Sequence, residues 1–306
     1  MSNPRSEYIG RFAPTPSGPL HFGSVIAALA SYLEAHSNQG KWLLRIDDLD
    51  TPRVRADANS RILQVLEELG LYWDNEIVYQ SNRQSAYEEA AHQLQLDSLL
   101  YFCACSRKKI QGKPYPGTCR DLKLEPAPQH SMRIKTETNL FSVDDQIQNA
   151  YRQNIFENIG DFIVRRADGI FAYHLAVVVD DAAENVSHIV RGTDLMDSTP
   201  RQIFLQEKLG VTTPAYAHLP VAINSSGDKI CKQYKAEDVL LSNSPVRVLF
   251  DSLEFLGQNP DEALLDATVA DLIKWGIENW QLSNVPKSQQ SLAAQRYQSR
   301  PRTSDS

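Results

Sequence analysis

The sequence of 306 residues is long enough for about two domains, and its 42% hydrophobic and 23% charged residues are typical of a globular protein. This composition argues against wholesale disorder, a fibrous repeat and a small disulfide scaffold. The formal net charge of −7 argues against a uniformly basic nucleic-acid-binding protein. An RNA partner would therefore have to contact local basic patches.

The beginning of the sequence contains no apolar signal core, and the longest apolar stretches, around residues 25–33 and 175–179, are too short to cross a bilayer. Three of the four cysteines lie between positions 103 and 119. Such clustering indicates a metal site or reduced thiols rather than a disulfide framework. We therefore expect a cytoplasmic protein with no membrane partner.

Strand and helix patterns alternate over the first hundred residues, which predicts a parallel α/β sheet. The predicted elements are a strand at 8–12, a helix at 24–35 with Ser24 as its N-cap, a strand at 42–46, a helix at 58–69, a strand at 77–79 and a helix at 85–96. We interpret residues 1–100 as the first half of a catalytic domain.

The pattern then changes to a cysteine-rich, basic and irregular stretch, interpreted as an insertion at 101–160. Regular structure returns in residues 161–240, the predicted second half of the α/β domain. The remaining residues, 241–306, read as a short helical region with a polar tail that frays at its end. Regular segments are predicted at 161–166 and 173–180, another β segment at 187–191, and helices at 200–209, 246–256 and 261–278.

The loop at residues 16–24 lies between a predicted strand and helix, where an open α/β sheet places its ligand. Gly18 and Gly23 would allow the backbone to approach a ligand closely, and the helix beginning near Ser24 would attract an anion. His21 is placed to donate a hydrogen bond to a phosphate oxygen. The alternative is an ordinary loop with a surface histidine.

A second basic motif, Lys-Ile-Cys-Lys-Gln, occupies residues 229–233. Lys229 and Lys232 could neutralise the charge of a polyphosphate in a transition state. A solvated surface loop is the alternative interpretation.

Three carboxylates, Asp47, Asp48 and Asp50, follow the predicted strand at 42–46. Carboxylates at a strand end can bind an ammonium group, a ribose hydroxyl or Mg²⁺. A polar turn closed by Thr51 and Pro52 would explain the same residues without a ligand.

Cys103, Cys105 and Cys119 offer three thiolates, which with one further ligand would fill a tetrahedral zinc site. A water or His130 could be the fourth ligand, whereas Tyr115 is an unusual choice, and three unliganded thiols remain an alternative. The neighbouring basic residues suit contact with an RNA phosphate backbone or form a solvated face. They are Arg107, Lys108, Lys109, Lys113 and Arg120.

Taken together, these motifs resemble the class I aminoacyl-tRNA synthetases. Residues 21–24 resemble the His-Ile-Gly-His element, and residues 229–233 resemble the Lys-Met-Ser-Lys-Ser loop, in the expected order. Further stretches between residue 8 and about residue 260 are similar to glutamyl-tRNA synthetases, at 11–18, 44–48, 172–181, 189–195 and 199–202. Because the chain after residue 233 is too short for a large anticodon-binding region, it most resembles the truncated paralogues, the glutamyl-queuosine tRNA(Asp) synthetases.

The resemblance implies an α/β fold, with a Rossmann-like class I synthetase catalytic domain, a zinc-binding insertion and a short helical C-terminal region. It implies activation of L-glutamate with ATP, accompanied by Mg²⁺, and transfer of the glutamate to the queuosine base in the anticodon loop of tRNA(Asp). The family's zinc site of three cysteines and one tyrosine points to Tyr115 as the ligand beside Cys103, Cys105 and Cys119.

The same resemblance implies roles for individual residues. The catalytic residues are expected to be His21, Lys229 and Lys232, and the ATP-binding residues His21, Gly23, Ser24 and Lys232. The glutamate-binding residues are expected to be Arg11, Phe12, Ala13, Pro14, Thr15, Asp47, Tyr173 and Arg191. Arg191 would supply the cation that selects glutamate over glutamine.

The sequence departs from the family pattern at three positions, and we expect activity to survive all three. Asp47 stands where glutamate is usual, Ser24 replaces the second histidine of the His-Ile-Gly-His element, and Cys231 replaces a small hydroxyl residue. Two other functions stay open from the sequence. One is charging of tRNA(Glu) by a glutamyl-tRNA synthetase, and the other is tRNA binding by a non-catalytic paralogue.

Overall fold

The structure, a computed structural model, describes residues 7–50, 52, 54–55, 57–230 and 238–298, apart from the side chain of Arg107. Its helices are α1 (Phe22–Ser37), α2 (Ala58–Glu68), α3 (Gln84–Leu96), α4 (Arg107–Ile110), α5 (Ile155–Asn158), α6 (Tyr173–Ala183), α7 (Thr199–Leu209), α8 (Pro245–Phe255) and α9 (Val269–Asn279). Among the described residues, no helix has both the length and the apolar character needed to cross a membrane.

The strands alternate with these helices in the first part of the chain, as predicted. They are β1 (Ile9–Phe12), β2 (Lys41–Ile46), β3 (Asp74–Tyr79), β4 (Leu100–Cys103), β5 (Ser131–Ile134), β6 (Leu140–Val143), β7 (Tyr151–Asn154), β8 (Phe162–Arg165), β9 (His188–Gly192), β10 (Ala215–Leu219), β11 (Val221–Ile223) and β12 (Gln290–Leu292).

The central sheet consists of parallel strands. β2 pairs with β1 on one side and β3 on the other, and β9 pairs with β10. β9 lies beside β1, because the Ser187 backbone N–H donates to the Ile9 carbonyl at 2.9 Å and the Ser187 hydroxyl accepts from the Ile9 N–H at 2.9 Å. Residues 42–46 of β2 are all buried, as expected for a strand covered on both faces.

The carboxyl ends of β1, β2 and β9 lie at one edge of this sheet. Arg11 is near the end of β1, Asp47 directly follows β2, and Arg191 is near the end of β9. This edge is where parallel α/β proteins bind ligands, because the loops that follow the strands converge there. The fold therefore brings together predicted site residues that are far apart in the sequence.

A smaller antiparallel sheet lies in the middle of the chain. β5 pairs with β4 and β8, and β6 pairs with β7 as a hairpin. A second apolar cluster, which includes Phe162, Leu175 and Phe204, packs this sheet against α6 and α7. Since β8 comes from the predicted second half and β5 from the predicted insertion, the two regions share one sheet.

The single helix predicted at 261–278 is wrong, because the structure has two shorter elements there. Residues Glu262–Asp266 form a 3₁₀ turn and α9 begins only at Val269. Thr268 and Asp271 form a capping box, in which the Thr268 hydroxyl accepts from the Asp271 N–H at 3.2 Å and the Asp271 carboxylate accepts from the Thr268 N–H at 3.3 Å. This capping pair starts a new helix at a position that the apolar pattern alone does not mark.

Part of the predicted polar tail is packed against the catalytic domain. β12 pairs in parallel with β11, and the Tyr297 ring stacks on the Phe22 ring at 3.8 Å with an interplanar angle of 6°. The Tyr297 hydroxyl also donates to Asp251 at 2.8 Å. Residues 299–306, where fraying was predicted, lie outside the described residues.

Replacement of Tyr297 by alanine should lower the free energy of unfolding by about 2 kcal/mol, because the half-buried ring loses its stack on Phe22 and its hydrogen bond to Asp251. Tyr297→Phe is the matched control, since it removes only the hydrogen bond, worth about 1 kcal/mol. Urea unfolding followed by circular dichroism measures both values. Equal stability of Tyr297→Ala and the unchanged protein would contradict the packing described here.

Candidate active site

A cavity of about 670 Å³ opens at the carboxyl ends of β1, β2 and β9, beside the first turn of α1. Its walls include each predicted glutamate-binding residue and the described residues predicted to bind ATP. These are Arg11, Phe12, Ala13, Pro14, Thr15, His21, Gly23, Ser24, Asp47, Tyr173 and Arg191. The structure therefore assembles in one cavity two residue sets that the sequence places in five separate segments.

His21, and not Ser24 as predicted, is the N-cap of α1. Its Nδ1 accepts a hydrogen bond from the Ser24 backbone N–H at 3.2 Å, and its Nε2 lies 3.1 Å from the Ser24 hydroxyl. Burial lowers the His21 pKa to about 4, so the ring is neutral at pH 7. Since Nδ1 is an acceptor, Nε2 carries the proton and can donate it in a hydrogen bond.

Gly23 lies close against the His21 ring. A Cβ atom at this position would lie 3.1 Å from His21 Cε1 and 3.2 Å from His21 Nδ1. A larger residue would therefore crowd the ring, whereas a Cβ at Gly18 would meet open space. The sequence predicts that both glycines face a bound ligand, and in the structure Gly23 also has the His21 ring as a neighbour within the chain.

The three carboxylates after β2 do not form one cluster. Asp47 lines the cavity, whereas Asp48 accepts hydrogen bonds from the backbone N–H and the hydroxyl of Ser81, both at 2.8 Å. Asp50 pairs with Arg166 at 3.0 Å. The interpretation of the three as one ligand-binding group is thus wrong for Asp48 and Asp50, which bond to other parts of the chain.

Asp47 is buried next to an arginine. Its Oδ1 accepts from Arg45 Nε at 2.8 Å. Burial raises the pKa of Asp47 to about 6, although Arg45 acts in the opposite direction. The carboxylate is thus ionised at neutral pH and available to a cationic group that enters the cavity.

Arg45 belongs to a buried ionic cluster to which the sequence analysis assigned no role. Its side chain is 0% exposed, and Nη1 donates to Asp181 at 2.6 Å and to Glu184 at 3.1 Å. Asp181 also pairs with Arg11, whose Nε lies 3.2 Å from the carboxylate. The cluster therefore fixes Arg11 directly through Asp181 of α6, and Asp47 through Arg45, which bonds to the same aspartate.

The neighbouring carboxylate, Asp180, completes the support beneath this cluster. It accepts from the Tyr87 hydroxyl at 2.7 Å, from Gln80 Nε2 at 2.9 Å and from Arg83 Nε at 3.0 Å. One sequence signal for this role exists, because Asp180 and Asp181 directly follow the apolar run at 175–179 in α6. Carboxylates in such a position are rarely buried without a partner.

Arg191 is paired differently from Arg11. Its Nε donates to His218 Nε2 at 3.2 Å and its Nη2 donates to the Thr199 hydroxyl at 2.8 Å, while its guanidinium lies 5.2 Å from the Tyr216 ring centre. Its Nη1 is buried and has no hydrogen-bond partner among the described residues. A buried guanidinium N–H without a partner can donate to a ligand that supplies an acceptor, and a carboxylate forms the strongest bond of this kind.

Tyr173 is the first residue of α6 and is 38% exposed, so its ring is accessible from the cavity. Elsewhere in the cavity wall, the backbone of the 13–15 loop is fixed to the end of β2, because the Asp47 N–H donates to the Pro14 carbonyl at 3.0 Å. The Ser17 N–H donates to the Thr15 carbonyl at 2.8 Å and closes the turn.

The predicted lysine loop is described only in part. Lys229 Nζ lies 3.3 Å from Asp194, a residue of the cavity wall, and Ile230 also lines the cavity. Lys229 itself is not among the lining residues. Lys232 and Cys231 lie outside the described residues.

A second site is formed by the cysteine-rich segment. The Sγ atoms of Cys103, Cys105 and Cys119 lie within 4.8 Å of one another, and those of Cys105 and Cys119 are 3.7 Å apart. The Tyr115 hydroxyl lies 3.2 Å from Cys103 Sγ and 3.6 Å from Cys105 Sγ. A tetrahedral zinc ion with Zn–S bonds of about 2.3 Å separates its sulfur ligands by about 3.8 Å, so these four side chains fit such an ion.

Tyr115 reaches the cysteines because its backbone is joined to a neighbouring turn. Its N–H donates to the Ile159 carbonyl at 2.9 Å, and a Cβ atom at Gly160 would lie 2.1 Å from the Tyr115 carbonyl oxygen. Gly160 also has a φ of 72°. His130, which the sequence left open as the fourth ligand, is instead half-buried outside the cysteine cluster, with Nδ1 2.9 Å from the Glu125 carbonyl oxygen.

The predicted basic patch near this site is smaller in the structure. Lys108, Lys109 and Lys113 are exposed. Arg120 instead forms an ion pair with the buried Asp161 and donates to the Thr136 carbonyl at 2.8 Å. Arg120 thus stabilises the segment and is not available to RNA phosphates.

Comparisons with known proteins identify the family. Residues 9–247 match the family of the class I tRNA synthetases (E and Q), catalytic domain. The chain is 44% identical to the glutamyl-Q tRNA(Asp) synthetase of Aromatoleum aromaticum over 98% of this chain and 97% of that protein. It is 45% identical to the glutamyl-Q tRNA(Asp) synthetase of Ectopseudomonas mendocina over 94% of this chain and 98% of that protein.

A solved structure shows the same fold. The glutamate-tRNA synthetase of Elizabethkingia anophelis superposes with a TM-score of 0.78 at 22% identity, over 95% of this chain and 69% of that chain. The cavity at the end of a parallel sheet, the signature residues around His21 and these matches agree with one another. The chain is a member of the class I aminoacyl-tRNA synthetases and belongs to their glutamyl-Q tRNA(Asp) synthetase family.

Proposed function

We propose that the protein activates L-glutamate with ATP and transfers the glutamyl group to the queuosine base in the anticodon loop of tRNA(Asp). The observation that carries the proposal is the cavity that combines an ionised Asp47 with an Arg191 Nη1 lacking any partner in the described chain. One group suits an ammonium and the other a carboxylate, the two charged features of an amino acid with an acidic side chain. The names of the relatives support the tRNA substrate.

Glutamate binds through charge complementarity in this proposal. Asp47 pairs with the α-ammonium group, Arg191 binds the side-chain carboxylate and Tyr173 supplies a hydroxyl group. Arg11 adds a second guanidinium in the cavity wall, its orientation fixed by Asp181. Glutamine would leave the Arg191 charge unpaired, which penalises it relative to glutamate.

In the first step, an oxygen of the glutamate α-carboxylate attacks the α-phosphorus of ATP, a P–O bond forms and pyrophosphate leaves. His21 Nε2–H and the N-terminal N–H groups of α1 bind phosphate oxygens. Lys229 and Lys232 neutralise the leaving pyrophosphate, so Lys229 must exchange Asp194 for phosphate. Mg²⁺ enters with ATP.

In the second step, a hydroxyl of the queuosine cyclopentenediol attacks the activated carbonyl carbon, an ester forms and AMP leaves. The exposed Lys108, Lys109 and Lys113 are proposed to contact the tRNA phosphate backbone. This proposed reaction uses ATP and tRNA, which agrees with the predicted cytoplasmic location.

Zinc is proposed as the ion of the cysteine site. Cys103, Cys105, Cys119 and Tyr115 would hold it, and four protein ligands leave no open position for a substrate. Its contribution is therefore structural: it would stabilise the segment that carries the three exposed lysines.

The proposal is tested by two assays on the purified protein. Glutamate-dependent ATP–pyrophosphate exchange measures the first step, and labelled glutamate with tRNA(Asp), prepared with and without queuosine, measures the second. We expect exchange with glutamate and charging only of the modified tRNA. Charging of tRNA(Glu) would support a glutamyl-tRNA synthetase instead, and no exchange by a zinc-loaded protein would support a non-catalytic paralogue.

The activity should also depend on the ionisation of Asp47. Because burial raises its pKa to about 6, the carboxylate accepts a proton as the pH falls through 6, and the proposed contact to the ammonium group is lost. We expect kcat/KM for glutamate to be constant above about pH 7 and to fall about tenfold per pH unit well below 6. The Asp47→Asn variant, although much less active, should show no inflection near pH 6 in its kcat/KM profile. If the variant kept the same inflection as the unchanged protein, the assignment of this pKa to Asp47 would be contradicted.

A further inference from the structure

We propose that Asp145 and His218 are a positioning pair that aims the Arg191 guanidinium at the substrate side chain and leaves its charge uncompensated, so that the cavity selects a carboxylate over an amide. This inference rests on the proposed function and concerns two residues to which the sequence analysis assigned no role. It follows from a continuous chain of hydrogen bonds between them and the cavity.

The first link joins Asp145 to His218. His218 lies in β10 and is fully buried, and its Nδ1 is 2.5 Å from Asp145 Oδ2. Asp145 Oδ1 also accepts from the backbone N–H groups of Ile147 at 3.0 Å and Gln148 at 2.8 Å. Burial opposes ionisation of Asp145, but the hydrogen bonds from His218 and Gln148 outweigh it and lower the pKa of the carboxyl. The ionised carboxylate can only accept, so the His218 proton is on Nδ1.

The second link joins His218 to Arg191. Burial lowers the pKa of His218, even though Asp145 acts to raise it, so the ring is neutral and its Nε2 carries a lone pair. Arg191 Nε donates to this nitrogen at 3.2 Å, and the Thr199 hydroxyl lies at the same distance from it. With the opposite tautomer, an N–H group of His218 would face an N–H group of Arg191. The tautomer imposed by Asp145 is therefore the one that holds the guanidinium.

The third point is the charge that remains on Arg191. Within the described part of the chain, its partners are the neutral His218 Nε2, the Thr199 hydroxyl and the Leu195 carbonyl, and none is a carboxylate. Arg11 differs, because it pairs directly with Asp181 at 3.2 Å. The neutral His218 ring, oriented by Asp145, in turn orients the Arg191 guanidinium. Because the ring lies between the two residues, it also keeps the negative charge of Asp145 away from Arg191. Nη1 remains free for a carboxylate in the cavity.

The test replaces the ring nitrogen without removing the ring. His218→Phe keeps an aromatic side chain beside Tyr216, on which His218 stacks at 6.1 Å, but offers no acceptor to Arg191. In ATP–pyrophosphate exchange we expect KM for glutamate to rise about 10- to 100-fold, KM for ATP to change less than about threefold, and the preference for glutamate over glutamine to fall about tenfold. His218→Gln, whose amide oxygen can accept, should recover part of the loss.

His188→Phe is the matched control. His188 lies in the neighbouring strand β9 but stacks on Tyr8, away from the cavity, so its variant should keep the KM for glutamate and the preference for glutamate. A general loss of stability would lower the activity of both phenylalanine variants but would not raise the KM for glutamate more than the KM for ATP. Wild-type KM and selectivity in His218→Phe would overturn the inference.

A second measurement does not depend on activity. The ¹⁵N chemical shifts of the His218 imidazole report which nitrogen carries the proton, and we expect a neutral Nδ1–H form in the unchanged protein. Asp145→Ala should release the ring to the Nε2–H form. An Nε2–H ring in the unchanged protein would overturn the inference. Absence of glutamate-dependent exchange in the unchanged protein would instead refute the proposed function, and the tautomer of His218 would then be the result that tests the positioning pair.

Discussion

Replacement of Asp47 by alanine is expected to abolish glutamate-dependent ATP–pyrophosphate exchange. The variant loses the carboxylate proposed to bind the α-ammonium group. It also leaves Arg45 without one of its partners, so that the positive potential in the cavity rises and repels the ammonium. Removal of one partner of a buried charge pair costs about 2–5 kcal/mol, which corresponds to a loss of about 30- to 4000-fold in kcat/KM.

Two variants make this result interpretable. Asp48→Ala removes the adjacent carboxylate, which bonds to Ser81 outside the cavity, and is expected to retain exchange even if its stability falls. Asp47→Glu introduces the residue that is usual in the family and should retain measurable activity. Near-normal exchange by a folded Asp47→Ala protein would remove Asp47 from the proposed site.

Replacement of Cys119 by serine is expected to abolish zinc binding at the proposed cysteine site. A serine hydroxyl stays protonated at neutral pH and does not replace a thiolate ligand, so the ion would keep only Cys103, Cys105 and Tyr115. Structural zinc contributes about 10–16 kcal/mol to the folding of small zinc-dependent peptides, which exceeds what the few apolar contacts around Tyr101 and Tyr115 can supply. We therefore expect loss of zinc together with local unfolding of this segment.

Metal analysis of the purified proteins measures this effect directly, and limited proteolysis reports the local unfolding. Cys231→Ser is the matched control, because the fourth cysteine lies in the predicted lysine loop of the sequence and is not one of the proposed ligands. It should retain the full zinc content. Equal zinc content in Cys119→Ser and the unchanged protein would contradict the proposed ligand set.

The α/β alternation of the first hundred residues could be predicted from the sequence because its signals are local. Strand β2 is a continuous buried run, and α2 carries its apolar residues on one face, so each element is visible in its own segment. The cavity residues were assigned by resemblance to a family. The structure adds that these residues line one cavity. A pattern within a single segment cannot show this, because the residues come from distant segments.

The parts that could not be predicted depend on contacts between distant residues. Arg45 bonds to Asp181, 136 positions away, and Asp145 bonds to His218, 73 positions away. The apolar neighbours of Arg45 and Asp181 indicate burial, but nothing in these segments identifies the distant residue that each one bonds to. The wrong N-cap of α1 has a more local cause, since a histidine ring seldom performs the role for which Ser24 is the usual residue type.

The position of β12 and Tyr297 has a consequence for synthesis of the protein. This late segment pairs with the strand that precedes the lysine loop and stacks on the residue next to His21. On the ribosome, α1 and β11 are synthesised first, while Tyr297 and β12, against which they pack, are still untranslated. The base of α1 can thus reach its final packing only after residue 297 has emerged, so the α1 end of the cavity is completed late in translation.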